Sequence, residues 1–247
     1  MATRVSTHIA PYLGALDLTA LTKSATIADL VANDVEFTNY GSGGFKEYRT
    51  GTISGGMTVD LFQDYATGVL DDSVTVGSSY PYSVAIPATP NTIAEGDIAY
   101  VANGAATKYT PRDGAVGDAA TASITLPWSS RFAYGVVGHP SAARTTTGTS
   151  TGFAFAGPTA SRYMVANIHV LAYSGLTSIT VKIASDDNSG FTTATDRLTF
   201  TATTAIGGEN KTAVGSAGWA SETHHRVAWT VSGTGSCTFV VTFGLSG

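Results

Sequence analysis

The sequence predicts an all-β chain built as two antiparallel sandwiches, and three observations carry that prediction. Apolar and polar residues alternate at period two in one segment after another, as in strands with a single buried face. Glycine is abundant, at 28 of 247 residues, while charged residues make up only 13%, so turns are frequent and charge is sparse. Mean hydropathy is slightly positive at +0.12, whereas disorder needs low hydrophobicity with high charge. The length suffices for one large all-β domain or two smaller ones.

Taken in order, Leu16–Ala32 is ambiguous. Leu16, Leu18 and Leu21 can mark a helical face, but the threonine-rich spacing favours extended chain, and the segment reads as strand or loop. Ile53, Met57, Val59 and Leu61 share a parity and predict a strand, which Gly55 and Gly56 interrupt at a bulge or a close backbone approach. One short helix is expected near Leu61–Leu70, where Gln63, Asp64 and Ala66 break the alternation. Ala120, Ala122, Ile124 and Leu126 predict a further strand, and Phe132, Tyr134 and Val136 another. The small-residue run SAARTTTGTSTG (Ser141–Gly152) reads as a flexible linker.

The second half has the cleaner pattern. Tyr163–Tyr173 and Ile179–Ile183 read as strands, as does Arg197–Thr203 with Leu198, Phe200 and Ala202 on one face. Val227, Trp229 and Val231 lead through Ser232–Ser236 to Cys237, Phe239, Val241 and Phe243, the pattern of an antiparallel hairpin. Together these predict an immunoglobulin-like antiparallel sandwich of about 90 residues.

Charge bounds the function. Residues 1–150 hold 8 Lys/Arg and 13 Asp/Glu, and residues 151–247 hold 5 of each, so a basic surface for gripping nucleic acid is not expected. No N-terminal apolar run suggests a signal peptide, and no stretch approaches the roughly 18 apolar residues of a membrane span. The single cysteine, Cys237, excludes an intrachain disulfide framework and fits a reducing compartment.

Candidate chemistry is thin. GTSTG (Gly148–Gly152) matches a nucleophile elbow in letters, but that motif needs a strand before it and a helix after it. His224 and His225 are adjacent and would point to opposite faces of a strand, although Glu222 shares the parity of His224. His169 falls on the more polar parity of its strand and is expected to be solvated or hydrogen-bonded, while His8 and His139 have no nearby acidic or thiol partner. SDDNSG (Ser185–Gly190) resembles a calcium loop, yet the twelfth position from Asp186 is Arg197 rather than glutamate, so a β-turn is the expected reading. GGENKT (Gly207–Thr212) lacks the Gly-Lys pair of a phosphate loop. No catalytic residue, metal site or cofactor is expected.

One segment stands apart. Tyr40–Gly51 is too long and too charged for a tight hairpin between its flanking strands, and it carries Lys46, Glu47 and Arg49 in a chain sparing of charge. Four stretches then resemble the major tail (tail tube) proteins of long-tailed bacteriophages. They are the arm region DVEFTNYGSGGFKEYRTGTISGGMTVDLF, Ile98–Leu126 with its Val116–Asp118 turn, His169–Phe200 with DDNSGF, and the terminal Arg226–Gly244. That resemblance implies a tail-tube-type β-sandwich over 1–144, a linker over 145–156 and an outer sandwich over 157–247. It further implies an assembly arm carried by Tyr40, Gly41, Ser42, Gly43, Gly44, Phe45, Lys46, Glu47, Tyr48 and Arg49.

The implied partners are other copies of the chain, in hexameric rings stacked into a tube, with a tape measure protein and a tail terminator. DNA passes through the lumen without specific binding, and an acidic wall would keep it from sticking. The implied location is the virion tail, after assembly in the bacterial host cytoplasm, with no membrane involved. Two other classes stay open. A cell-wall carbohydrate- or receptor-binding module would use exposed Trp219 and Tyr173, and a capsid decoration protein would bind preformed heads.

Overall fold

A computed structural model describes residues 8–27, 31–36, 46, 48–66, 70–115 and 117–246. From the N-terminus, β1 (Ala10–Leu13) and β2 (Leu16–Asp17) form a hairpin, and β3 (Thr22–Ile27) follows. Strands β4 (Val31–Glu36) and β5 (Tyr48–Ser54) precede β6 (Gly56–Phe62) and the helix α1 (Leu70–Ser73). Then come β7 (Ser79–Ile86), β8 (Ile98–Ala105), β9 (Lys108–Asp113), β10 (Thr121–Pro127) and β11 (Ala133–Arg144). Short β12 (Gly148–Thr149) and β13 (Phe153–Ala154) lead to the long β14 (Tyr163–Asp186). After β15 (Thr195–Thr199), β16 (Gly207–Val214) and the helix α2 (Ala217–Ala220), the chain ends in β17 (His224–Ser246). The fold is all-β, and every strand pairing described is antiparallel.

Three sheets result. The largest runs β15-β14-β17-β11-β8-β7-β1-β2, with β16 added to β14 and with β12 and β13 added to β17. A four-stranded sheet has the order β3-β6-β10-β9, and among the described residues β4 and β5 pair only with each other. Three apolar clusters fill the spaces between the layers. Met57, Val59 and Leu61 of β6 and Ala122, Ile124 and Leu126 of β10 pack against Tyr82 and Val84 of β7, closing the four-stranded sheet onto the large one. Each fully buried side chain of this kind contributes on the order of 1.5–3 kcal/mol. On its other face the β1-β7-β8 layer meets β14 and β17 through small residues, among them Ala85, Ala99, Val101, Val165 and Val240. Beyond β14 and β17 lies the third cluster, where Phe239, Val241 and Phe243 meet Ile179, Ile183 and Trp219.

Strand β14 is therefore buried on both faces along Met164–Val170. Its polar parity does not face water. Asn167 donates to the carbonyls of Tyr82 (2.7 Å) and Ala102 (2.8 Å), and its amide oxygen accepts from Asn210 (2.7 Å). His169 is fully buried, and its Nδ1–H donates to the Gly14 carbonyl at 2.9 Å. Its Nε2 accepts from Ser83 Oγ at 2.8 Å, and the Thr242 hydroxyl donates to the same Ser83 oxygen at 2.6 Å. This network bolts the two halves of the chain together, with each buried polar group satisfied by a partner from the facing layer.

The division expected at residues 144 and 157 is crossed by the sheet. β11 pairs with β17 from Tyr134↔Leu245 to Arg144↔Cys237, so the first half and the terminal strand share one ladder. The expected linker 145–156 is stitched onto β17 by β12 and β13, and Ser150 within it is buried. The hairpin expected at Ser232–Ser236 does not form. β17 runs through that stretch and pairs along β14 from Asp186↔His224 to Tyr163↔Ser246. The glycines there bend the ribbon instead of reversing it. Gly175 and Gly233 take φ of +73° and +87° at register shifts in the two strands, a conformation other residues resist.

Two further differences are local. The short helix begins at Leu70, where the expected segment ended, and no residue among the described 61–66 is helical; β6 extends to Phe62 instead. Along β11 the buried parity is Ala133, Gly135 and Val137, while Tyr134 of the expected inward set is 55% exposed. Two strand pairings flank β11, and only small side chains fit between the layers they bring together.

Candidate functional site

The four-stranded sheet has one packed face and one open face. Register sets out two rows across the open face: Ser24↔Asp60↔Ser123↔Thr110, and Thr26↔Thr58↔Thr125↔Lys108. Six of these eight side chains are hydroxyls, with Asp60 and Lys108 the charged pair, and Ser24 Oγ donates to Asp60 at 2.9 Å. Threonine and serine suit a pleated surface that water reaches, and they present weak donors and acceptors in place of fixed charge.

The acid excess of residues 1–150 does not collect there. Apart from Asp60, which stands in the first row, no carboxylate falls in these two rows; Asp71 lies in α1 and Asp97 just before β8. Asp71 accepts from Gln63 Nε2 (2.9 Å) and from the Tyr109 hydroxyl, and burial followed by that contact pushes the Tyr109 phenol up to about 12. Asp97 is buried and clamps its loop by accepting from the backbone N–H of Ala88 (2.9 Å) and Ala94 (2.8 Å).

Among the described residues, β3 and β9 each pair on one side only, so both ends of this sheet present unpaired backbone groups. Pro111 removes one donor from β9 and confines any further pairing to its Lys108–Thr110 end.

In sequence, the expected arm falls between β4 and the first residues of β5, two strands that pair as a ribbon from Val31↔Ser54 to Glu36↔Tyr48. Of the arm residues, Tyr40, Gly41, Ser42, Gly43, Gly44, Phe45 and Glu47 lie outside the described residues. Lys46 is described and exposed, and its Nζ pairs with Glu36 at 3.0 Å. Tyr48 and Arg49 begin β5. The ribbon joins the body at Gly55, whose N-terminal neighbour ends β5 and whose C-terminal neighbour begins β6. A Cβ at Gly55 would lie 2.3 Å from the Trp128 ring, and the Gly55 carbonyl accepts from the Trp128 backbone N–H at 3.0 Å. Trp128 is itself stacked on Phe132, with centroids 4.4 Å apart. Gly55 thus has the close backbone approach expected of it, and an aromatic ring holds the root of the ribbon.

The other sequence candidates resolve into structure. His225 is buried, donating from Nδ1 to the Phe155 carbonyl (2.8 Å) and accepting at Nε2 from the Trp219 indole (3.0 Å). His139 is buried too, donating to the Phe239 carbonyl (3.2 Å) and accepting from Arg144 (2.8 Å). Burial first of all lowers the pKa of His139, His169 and His225 to about 4. Glu222 pairs with Arg197 (2.5 Å) and accepts from Ser185, and does not serve His224. Burial alone would raise its carboxyl, but the Arg197 and Ser185 hydrogen bonds outweigh burial and hold it low.

Ser150 of GTSTG exchanges hydrogen bonds with the Val227 backbone, and no helix follows it before α2. SDDNSG is a turn in which Asp186 accepts from the Thr193 N–H (2.8 Å) and Asn188 from Gly190 (2.9 Å). No group of three or more potential metal ligands occurs among the described residues. Trp219, expected on the surface, is 3% exposed, and the Tyr173 hydroxyl donates to the Leu176 carbonyl. The short helix α2 turns the Trp219 ring into the third cluster, a placement that strand periodicity could not foresee.

No family model and no curated protein matches this chain. Among solved structures, a chain from the virion of a native gene transfer agent particle is 15% identical, with a TM-score of 0.39, over 53% of this chain and 98% of its own. The SPP1 Dit protein, described as a hub adsorption apparatus of phages infecting Gram-positive bacteria, is 9% identical with a TM-score of 0.36, over 96% and 98% of the two chains. Both names are those of virion or phage components. Both scores are low, and neither likeness bears on function by itself.

Proposed function

We propose that this chain is a structural subunit of a phage-type tail, assembling with copies of itself into stacked rings that form a tube. The observation that carries the reading is the four-stranded sheet, open on one face and unpaired at both ends among the described residues. A copy placed head to tail can extend the sheet, the β3 end of one meeting the β9 end of the next. A rotation that closes makes a ring rather than a filament, with six copies as the family resemblance implies. The hydroxyl rows then line the lumen. DNA slides past them because they offer no run of cations to release counterions. In place of an acidic wall, the proposed lining is close to neutral.

The ribbon fits the same assembly. Its two strands pair with no other strand of the described chain. The arm expected over Tyr40–Arg49, which connects them in sequence, would reach a neighbouring copy or the next ring. Mixed charges at Lys46, Glu47 and Arg49 set register there more than they add affinity. A tape measure protein inside the tube and a terminator at its end complete the proposed set of partners, in a virion tail assembled in the host cytoplasm. The carbohydrate-module reading loses its main support, since Trp219 is buried.

Deleting Ser42–Lys46 is expected to leave the thermal unfolding of the monomer unchanged and to abolish the growth of large species in analytical sedimentation. Wild-type assembly by that variant would remove the arm from the account.

A further inference from the structure

Strand β16 leaves one edge of the large sheet open, and neither the packing of the chain nor the proposed tube uses it. It pairs residue for residue with β14, from Tyr163↔Val214 to Val170↔Gly207, over eight residues without a register shift. Among the described residues its other side pairs with no strand. Edges of this length are ordinarily blunted by a proline, a bulge, outward charge or a cover. β15, on the same side of β14, is only five residues long, meets a register shift at Ile183–Ala184 and carries Asp196 and Arg197. β16 has neither proline nor register shift, and its two charges are turned back onto its own chain. Lys211 donates to the Thr199 carbonyl, and Glu209 accepts from the Thr201 backbone N–H and hydroxyl, each at 2.8 Å. Asn210, of the other parity, donates to Asn167 at 2.7 Å. The strand is thus anchored through both faces and presents a preformed edge.

The sequence of this edge is complementary to itself. Antiparallel pairing with a second β16 about a twofold axis at Asn210 sets Ile206, just before the strand, opposite Val214 of the second copy. It also sets Glu209 opposite the second copy's Lys211, and the symmetry makes each contact twice. Ile206 and Val214 are 61% and 58% exposed, and both share the parity of Asn210. Pairing covers them against each other and opposes no like charges. Moving the axis by one residue sets Lys211 against Lys211 or Glu209 against Glu209, and leaves both apolar side chains unmatched.

We propose that two copies of this chain pair through β16 as an antiparallel twofold dimer, strand added to strand across the open edge of the large sheet. Such a pair closes on itself. It does not rest on the tube reading, whose contacts lie on β3, β9 and the arm.

The test is oxidative cross-linking of the full chain carrying one added cysteine, Ile206→Cys or Val214→Cys; the native Cys237 is buried. A mixture of the two variants is expected to form a covalent dimer, because directly opposite residues lie within disulfide reach. Either variant alone should form none, since its two cysteines would stand about 26 Å apart along the paired strands. In sedimentation equilibrium below the concentration of tube growth, Val214→Glu should weaken the dimer about 10-fold or more, and adding Ile206→Lys should restore it. Both sites are exposed, so melting of the monomer should not move. An absence of tubes with cross-linking intact would count against the tube reading alone. No cross-link in the mixture, as for an edge filled by a strand of another protein, would overturn the proposal. So would cross-linking of either variant by itself, or a dimer that Val214→Glu leaves unchanged.

Discussion

Acidification from about pH 7 to about pH 4 is expected to destabilise this protein by on the order of 3 kcal/mol for each of three buried histidines. His139, His169 and His225 are each held neutral by burial, with one ring nitrogen donating to a backbone carbonyl and the other accepting. Each folded pKa, about 4, lies below the ordinary value of 6.5. The unfolded chain therefore binds more protons throughout that window, and stability falls as pH falls through it. Above about 6.5 both states are neutral and the contribution is flat.

Glu222, whose carboxyl is held low, adds stability that is lost at more acidic pH still, as the carboxylate protonates. Three such groups together approach the whole stability of an ordinary domain, about 5–15 kcal/mol. Urea unfolding at a series of pH values should show a steepest dependence of nearly three protons, and His169→Gln should lower that by one. A flat profile from about pH 7 to pH 5 would contradict the assignment of all three.

Asn167→Leu is expected to cost about 3–5 kcal/mol, more than most single changes in the apolar clusters. The leucine would strand two buried carbonyls, Tyr82 O and Ala102 O, and the amide of Asn210. Each orphan costs about 1–3 kcal/mol, and the larger apolar volume returns little of it because the site lies between closely spaced layers. Asn210→Ala, which removes only the donor to the Asn167 oxygen, should cost about 1 kcal/mol. Equal and small losses in both variants would mean that the network does not hold the two halves together.

Much of the fold was legible because strands with one buried face announce themselves. Met57–Leu61, Ala122–Leu126, Val181–Ile183 and Cys237–Phe243 all bury the predicted parity. Polarity between layers was only half legible. His169, read as solvated or hydrogen-bonded, is hydrogen-bonded and buried, and its partners and the two carbonyls that accept from Asn167 come from β7, β8 and the Gly14 turn, more than 60 residues away in sequence. Glycine misled, since the signal that closes a hairpin also bends a continuous ribbon at Gly175 and Gly233.

Of the candidate site, Gly55 and the charged arm could be singled out from sequence. The two rows of hydroxyls could not, because a row exists only once register aligns β3, β6, β10 and β9.

The central claim, self-assembly into a tube, is tested most directly by negative-stain electron microscopy of the purified chain at rising concentration. The account predicts hollow tubes of stacked rings with a central channel for the wild type, and single subunits when Ser42–Lys46 is deleted. Persistent monomers of the wild type at high concentration, or solid fibres without a channel, would contradict it.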